Sequence, residues 1–145
     1  MRKAAYFTRP RDPQTLTVRD VMEDAVLTVS PQAKGSAIAD ILVERNFGSV
    51  PVVEEDRTLV GLVSEFDLLR VMDGSIDLGR LAATDIMTRD VVTVTEEMPV
   101  KDVVHLLQER HLLRVPVLKG KALVGVVARR DILFGYLRAT ANYWP

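Results

Sequence analysis

The chain has 145 residues, 48% hydrophobic and 27% charged, a balance that excludes a disordered polymer and fits one compact domain or two very small ones sharing a core. Nineteen Lys and Arg against 20 Asp and Glu leave a formal charge of −1, so no global field draws in nucleic acid or an anionic membrane. The absence of Cys excludes disulfides, thiolate metal sites and cysteine nucleophiles, as suits a reducing cytoplasm, and no apolar run approaches the ~20 residues that span a bilayer.

Residues 1–16 read as an N-terminal arm. Arg2, Lys3, Arg9 and Arg11 lie there beside Tyr6 and Phe7, with no acid among the first eleven residues. Such an arm could track the phosphates of a nucleic acid, or it is a solvated terminus. No apolar stretch follows Arg2-Lys3, so no signal peptide is expected.

From Asp20 onward the chain repeats itself. Asp20-Val21-Met22 recurs as Asp85-Ile86-Met87, Val26-Leu27-Thr28-Val29 as Val91-Val92-Thr93-Val94, and Val50-Pro51-Val52 as Val115-Pro116-Val117. After a turn one residue shorter, Leu59-Val60-Gly61 recurs as Leu123-Val124-Gly125 and Asp67 as Asp131. Residues 20–53 and 59–69 match their partners at 17 of 45 positions, where average residue usage would give about 3.

Taken in order, Val26–Val29 predicts a strand, with Ser30-Pro31 turning into a helix. Gly35, Ile38, Ala39 and Leu42 form one apolar helical face, and the helix ends at Glu44-Arg45. A hairpin follows: Val50–Val53, the polar turn Glu54–Thr58, then Leu59–Val63. A closing helix covers about Glu65–Asp73, and residues 74–81 read as a linker. The second copy repeats the pattern: strand Val91–Val94, helix face Val100, Val103, Val104 and Leu107 ending at Glu109-Arg110, hairpin Val115–Leu118 and Leu123–Ala128, and closing helix Arg129–Ala139. Residues 140–145 are a tail carrying Tyr143-Trp144-Pro145. Gly61 and Gly125 mark strand positions where a backbone or a ligand passes closely.

The fold class is therefore α/β of the α+β type, with two β-α-β-β-α repeats at 17–73 and 82–139. A half of about 60 residues buries little apolar surface alone. Two copies packed sheet to sheet around a pseudo-twofold axis solve that problem and create two equivalent clefts. Leu68, Leu69, Val71 and Met72, then Ile132, Leu133, Tyr136 and Leu137, supply more apolar surface than so small a domain hides, so a homodimer is expected.

The order Asp-Val-Met, Val-x-Thr-Val, Val-Pro-Val, Leu-Val-Gly-Leu-Val and Ser-x-x-Asp-Leu-Leu, given twice over roughly residues 18–138, resembles a stand-alone tandem pair of CBS domains (named after cystathionine β-synthase), the unit called a Bateman module. The resemblance implies a sensor that binds an adenosyl compound (AMP, ADP, ATP or S-adenosylmethionine, sometimes NAD or nucleic acid) as a regulatory ligand in those clefts, with no cofactor required. In the family, the Asp of the [Ser/Thr]-x-x-Asp motif accepts hydrogen bonds from the ribose hydroxyls, a role that would fall to Asp67, after Ser64, and to Asp131. Ser64-Glu65-Phe66-Asp67 equally resembles a capping box, and both readings stay open at Asp67.

In the second copy Ala128 departs from the motif, which removes a hydroxyl that could contact phosphate and leaves Asp131 without a side-chain cap. Arg129 and Arg130 open the last helix, where the dipole disfavours cations. A phosphate bound there would satisfy both, or they point into solvent or pair with acids of a partner chain. Thr28 and Thr93 lie where such threonines touch ribose or phosphate in the family, although Thr is also at home in strands. Pro51 and Pro116 lie in the segment that lines the family's adenine pocket, where unpaired edge groups could read the base, or the prolines merely blunt an edge. Arg114 adds positive charge just before the second Val-Pro-Val.

An enzyme is not expected. His105 and His111 are the only histidines, and no nucleophile–base pair, phosphate-binding glycine loop or metal spacing accompanies them. A dimerisation module without a nucleotide, or nucleic-acid binding through the basic arm, are the alternatives. A membrane partner is not expected, and with no effector domain in the chain the signal would pass to a separate, unidentified protein.

Overall fold

The computed structural model describes residues 12–140; the basic arm residues Arg2, Lys3, Tyr6, Phe7, Arg9 and Arg11 and the Tyr143-Trp144-Pro145 tail lie outside them. In chain order the elements are α1 (Val18–Val21), α2 (Gly35–Arg45), β1 (Ser49–Val53), β2 (Leu59–Ser64), α3 (Glu65–Asp73), α4 (Ala83–Ile86), β3 (Val94–Thr95), α5 (Val100–Arg110), β4 (Arg114–Lys119), β5 (Ala122–Ala128) and α6 (Arg129–Ala139). Short 3-10 turns lie at Pro13–Thr15 and Leu78–Arg80. The mixture of helices with two small sheets is of the α+β type. No helix among the described residues is long and apolar enough to cross a membrane.

The chain forms two compact units, and each is described by itself. One is Leu27–Val91; the other joins the residues up to Val26 with those from Val92 onward. In the Leu27–Val91 unit, β1 and β2 pair antiparallel with Ser49 opposite Ser64 and Pro51 opposite Leu62. Leu62 turns its backbone away from Pro51 and exchanges both hydrogen bonds with Thr88, each 2.9 Å. Ile38 and Leu42 from α2 and Leu68 from α3 pack on Val50, Val52 and Val63, with Ile86 and Met87 closing the core.

The other unit is built alike. β3, β4 and β5 form a sheet in that order, Pro116 lies opposite Val126, and Val126 exchanges both backbone bonds with Glu23 at 2.9 Å. Val103 and Leu107 from α5 and Ile132 from α6 pack on Val115, Val117 and Val127, and Val18, Val21 and Met22 complete the core. The leader before each sequence copy thus packs with the sheet of the other copy. The glycines explain why. A Cβ at Gly61 would collide with the Met87 side chain, and one at Gly125 would lie 2.8 Å from the Met22 sulfur and 3.0 Å from the Glu23 carbonyl oxygen. The close approach expected at these glycines is made by the Met87 side chain at Gly61, and by the Met22 side chain together with the Glu23 backbone at Gly125.

The strands expected at Val26–Val29 and Val91–Val94 are shorter than the sequence predicts. Val29 makes a single parallel bridge to Val52, and β3 holds only Val94 and Thr95. The prolines stop the ladder. Val29 N–H donates to the Pro51 carbonyl and Val53 N–H to the Val29 carbonyl, each 3.0 Å. The next bond in a parallel ladder would need an N–H from residue 51, which proline lacks. Pro116 stands in the same place relative to β3.

Four short or closing helices share one device. The carboxylates of Asp20, Asp67, Asp85 and Asp131 accept the backbone N–H of the residue three before, at 2.8–2.9 Å. Each is the third residue of its helix, where the dipole also favours an anion. This holds the four-residue α1 and α4, which sequence periodicity does not reveal. Helices α2 and α5 both stop in left-handed residues, Asn46 and His111, with φ of 54° and 53°.

Candidate functional site

In the Leu27–Val91 unit the candidate residues are spread along the hairpin, with Ser64 and Asp67 at its open end and Pro51 in mid-strand. Asp67 is only 5% exposed. Its Oδ2 accepts from the Ser64 backbone N–H and hydroxyl, both 2.9 Å, while the Ser64 hydroxyl accepts the Asp67 N–H at 3.1 Å. Its Oδ1 accepts a longer bond from the Thr88 hydroxyl, 3.3 Å, and lies 3.7 Å from the exposed Arg70 guanidinium. So the capping box at Ser64 is real, and Oδ1 is the oxygen more loosely held. Thr28 lies level with Pro51, on the far side of β1 from Ser64, and its hydroxyl accepts from Arg57 at 3.4 Å. Thr28 and Asp67 therefore do not touch; Pro51, buried and without an N–H, lies between their lanes. Its carbonyl is taken by Val29, so the edge groups expected to be unpaired here are paired.

In the other unit Thr93, Pro116 and Asp131 occupy the equivalent places. Asp131 is 3% exposed and its Oδ2 accepts the Ala128 N–H at 2.8 Å. The structural reason that Ala128 was expected to remove thus persists, because the backbone half of a capping box needs no hydroxyl at the cap. The charge compensation differs between the units. Arg114 stands opposite Ala128 in register, where the first unit has Ser49 opposite Ser64. Burial pushes the Arg114 guanidinium below its ordinary value and the Asp131 carboxylate pulls it back up. A buried carboxylate needs either several donors or a cation. Asp67 has two hydroxyls, a backbone N–H and the exposed Arg70; Asp131 has a backbone N–H and the half-buried Arg114.

Arg129 and Arg130 are exposed and do not converge on Asp131. Arg129 instead lines an open groove of about 630 Å³ between α5 and α6, with Val104, Leu107, Leu113, Ile132 and Leu133. Residues two apart on a helix do not share a face. Sequence reasoning missed Thr88 and Arg57. Thr88 is 21 residues from Asp67, its counterpart in the other copy is Glu23, and nothing in one dimension joins it to Asp67. No group of three His, Cys, Asp or Glu side chains among the described residues could hold a metal ion.

Comparison with known proteins converges on one family. The CBS domain model matches residues 18–74 and 83–138. The chain spans 41% and 62% of the length of the first two curated relatives it matches. It is 29% identical over 126 residues to an inosine-5′-monophosphate dehydrogenase of Thermoplasma acidophilum, covering 86% of this chain and 24% of that enzyme. The crystal structure of CBSX2 in complex with AMP superposes with a TM-score of 0.75 at 27% identity, covering 84% of this chain and 96% of that one. The CBS domain pair of protein MJ0100 in complex with 5′-methylthioadenosine and S-adenosyl-L-methionine gives 0.70 at 27% identity, with 81% and 97% coverage.

Proposed function

Because the chain belongs to the CBS domain family, we propose that it is a regulatory module of the cytoplasm that binds an adenosine-containing ligand, of the AMP, ADP, ATP or S-adenosylmethionine class, and passes its occupancy to an effector protein. The observation that carries this reading is the pair of buried carboxylates, Asp67 and Asp131, at the same place in both copies. An ionised carboxylate is an acceptor only, and a ribose diol offers two donors. The AMP complex of CBSX2 and the S-adenosyl-L-methionine complex of MJ0100 support the ligand class.

The base would lie against Pro51 or Pro116 and the ribose on Asp67 or Asp131. The anionic end would turn to Thr28 with Arg57 in the one unit, and to Thr93 with Arg114 in the other. Arg129 and Arg130 stand apart from this arrangement. Two copies of the chain would associate through the apolar faces of α3 and α6. Those helices carry the carboxylates in their first turns, so a ligand that holds a helix end acts on the surface used for association. A ligand shifts such an equilibrium by its differential affinity for the two states.

Calorimetric titration with AMP, ATP and S-adenosylmethionine tests the proposal. Asp67→Asn or Asp131→Asn is expected to weaken binding by about 10–100-fold at its own site, the worth of a charge-assisted hydrogen bond. Arg129→Ala/Arg130→Ala is expected to leave affinity unchanged; a loss there would return the phosphate to the opening of α6. No heat and no rise in melting temperature with any of the three ligands would sink the sensor and leave a dimerisation module.

A further inference from the structure

The formal charge of −1 is split unevenly between the two compact units. The Leu27–Val91 unit holds 11 acids against six bases, a net of −5, and the other unit holds 13 bases against nine acids, a net of +4. The hairpins that carry the candidate residues follow the same division. Residues 49–64 hold Glu54, Glu55 and Asp56 against the single base Arg57, a net of −2. Residues 114–128 hold Arg114, Lys119 and Lys121 and no acid, a net of +3. Backbone pairing is alike in both, with Pro51 opposite Leu62 and Pro116 opposite Val126. The two candidate sites therefore share a frame and differ in charge.

In the acidic hairpin the turn gathers both signs. Glu54, Glu55 and Asp56 line an open groove of about 660 Å³ with Ser30, Val53 and Thr58. Asp56 accepts the Thr58 backbone N–H at 3.0 Å, which holds its carboxyl below the ordinary value and keeps it ionised at neutral pH. Arg57 follows with a left-handed φ of 73°, a conformation that a residue other than glycine adopts at a cost. Its Nη1 donates to the hydroxyl of Thr28, two residues before Ser30 of the groove wall, at 3.4 Å. A lone guanidinium beside three carboxylates suits a group that carries both signs and repels a polyphosphate. In the other unit Lys119 and Lys121 are exposed on the turn, and Arg114 stands at the far end of its strand, opposite Ala128. The acids that follow β3, Glu96 and Glu97, lie 3.0 and 3.8 Å from Arg19. Glu23 bridges Val126 in mid-hairpin and is outnumbered by the three hairpin cations.

We propose that the two sites sort adenosyl ligands by the charge at the 5′ end: the Asp131 unit takes the phosphorylated ones, and the Asp67 unit takes an adenosyl sulfonium of the S-adenosylmethionine kind. The proposal rests on the ligand class put forward above and assigns its members to sites. Adenine and the ribose diol are common to both kinds, so Asp67 and Asp131 do not tell them apart. The group on the 5′ carbon does. A phosphate monoester brings about −1.5 to −2 charges at neutral pH and favours the side of Arg114, Lys119 and Lys121. S-adenosylmethionine carries a sulfonium and an ammonium against one carboxylate. The carboxylate suits the fork of Arg57, and the two cations suit Glu54, Glu55 and Asp56. Exposed charges more than about 8 Å away are largely screened at physiological salt, so the hairpin nearest the 5′ group sets the preference. Juxtaposed like charges reject the wrong ligand at each site.

Calorimetric titration of the full chain with ATP, S-adenosylmethionine and 5′-methylthioadenosine, without divalent cations, tests the sorting. ATP is expected to keep its affinity in Asp67→Asn and to lose about 10–100-fold in Asp131→Asn, and S-adenosylmethionine to do the reverse. The preference of ATP for the Asp131 unit is expected to shrink as salt is raised to about 0.5 M. Glu54→Lys/Glu55→Lys, on the exposed turn, is expected to admit a second equivalent of ATP and to weaken S-adenosylmethionine at least about 5-fold. 5′-Methylthioadenosine, whose sulfur is neutral, is expected to fill both sites alike. Loss of ATP and S-adenosylmethionine to the same Asn variant, ATP binding indifferent to the turn reversal, or 5′-methylthioadenosine sorted as S-adenosylmethionine is, overturns the sorting alone. No binding of any of the three to the wild type overturns the sorting and the sensor together. The turn variant leaves both carboxylates in place, so it decides where an Asn variant does not fold.

Discussion

At Asp131 the carboxylate keeps the backbone half of a capping box and lacks the hydroxyl half, because Ala128 stands where Ser64 stands before Asp67. Replacing Ala128→Ser should supply the missing partner to α6 and stabilise the protein by about 0.5–2 kcal/mol, the range for an N-cap hydroxyl. Removing Arg114 strips the cation from a buried carboxylate, so Arg114→Ala should destabilise by about 1–3 kcal/mol. Ala128→Ser should recover part of that loss, and chemical denaturation of the two single variants and the double variant checks both numbers. Gly61→Ala should cost about 1–3 kcal/mol by overpacking against Met87. Met87→Ala should be less damaging in that background than in the wild type, since all the nearest atoms to the new methyl belong to the Met87 side chain. At Gly125 the Glu23 carbonyl also stands close, so Met22→Ala should rescue Gly125→Ala less well. The identity of Asp67 and Asp131 as candidates was legible because the duplication prints them twice. Their partners Thr88 and Arg114 were not assignable, because hydrogen bonding and desolvation depend on what lies across the sheet.

The closing helices α3 and α6 fall where their patterns place them, and so do both hairpins, because each is set by local signals: alternation, a polar turn and a first-turn acid. The two leading strands illustrate the opposite case. Their β-branched runs predict four residues each, and the pairing partner supplies N–H groups for fewer. A proline on the neighbouring strand is present in the sequence, but its effect needs the register, Val29 with Val52 and Val94 with Val117, to be known. Helices α1 and α4 were invisible for a related reason. Four residues containing valine or isoleucine have no helical period to detect, and they are held by their third-residue carboxylates together with burial of Val18, Val21, Ala83 and Ile86.

Over the whole molecule, the sequence copies at 17–73 and 82–139 divide the chain differently from the compact units, in which each leader joins the other copy's sheet. A fragment comprising residues 27–91 contains a complete unit with its own Met87 over Gly61, whereas a fragment of residues 17–73 lacks that methionine and the Thr88 pairing to Leu62. The first should show helical circular dichroism and a cooperative melt, and the second should not, although units near 60 residues are marginal in either case. Equal behaviour of the two fragments would show that the exchanged leaders contribute little. By itself, the sequence determined the duplication, the order of the hairpins and the longer helices, the capping box at Ser64 and Asp67 and the family, since these depend on neighbours along the chain. Only the tertiary structure decided which leader completes which sheet, how each buried carboxylate is compensated, and that Arg129 turns from Asp131 towards an apolar groove. Those outcomes depend on contacts between residues far apart in the chain and on the direction in which a helix face points, which a single sequence does not specify.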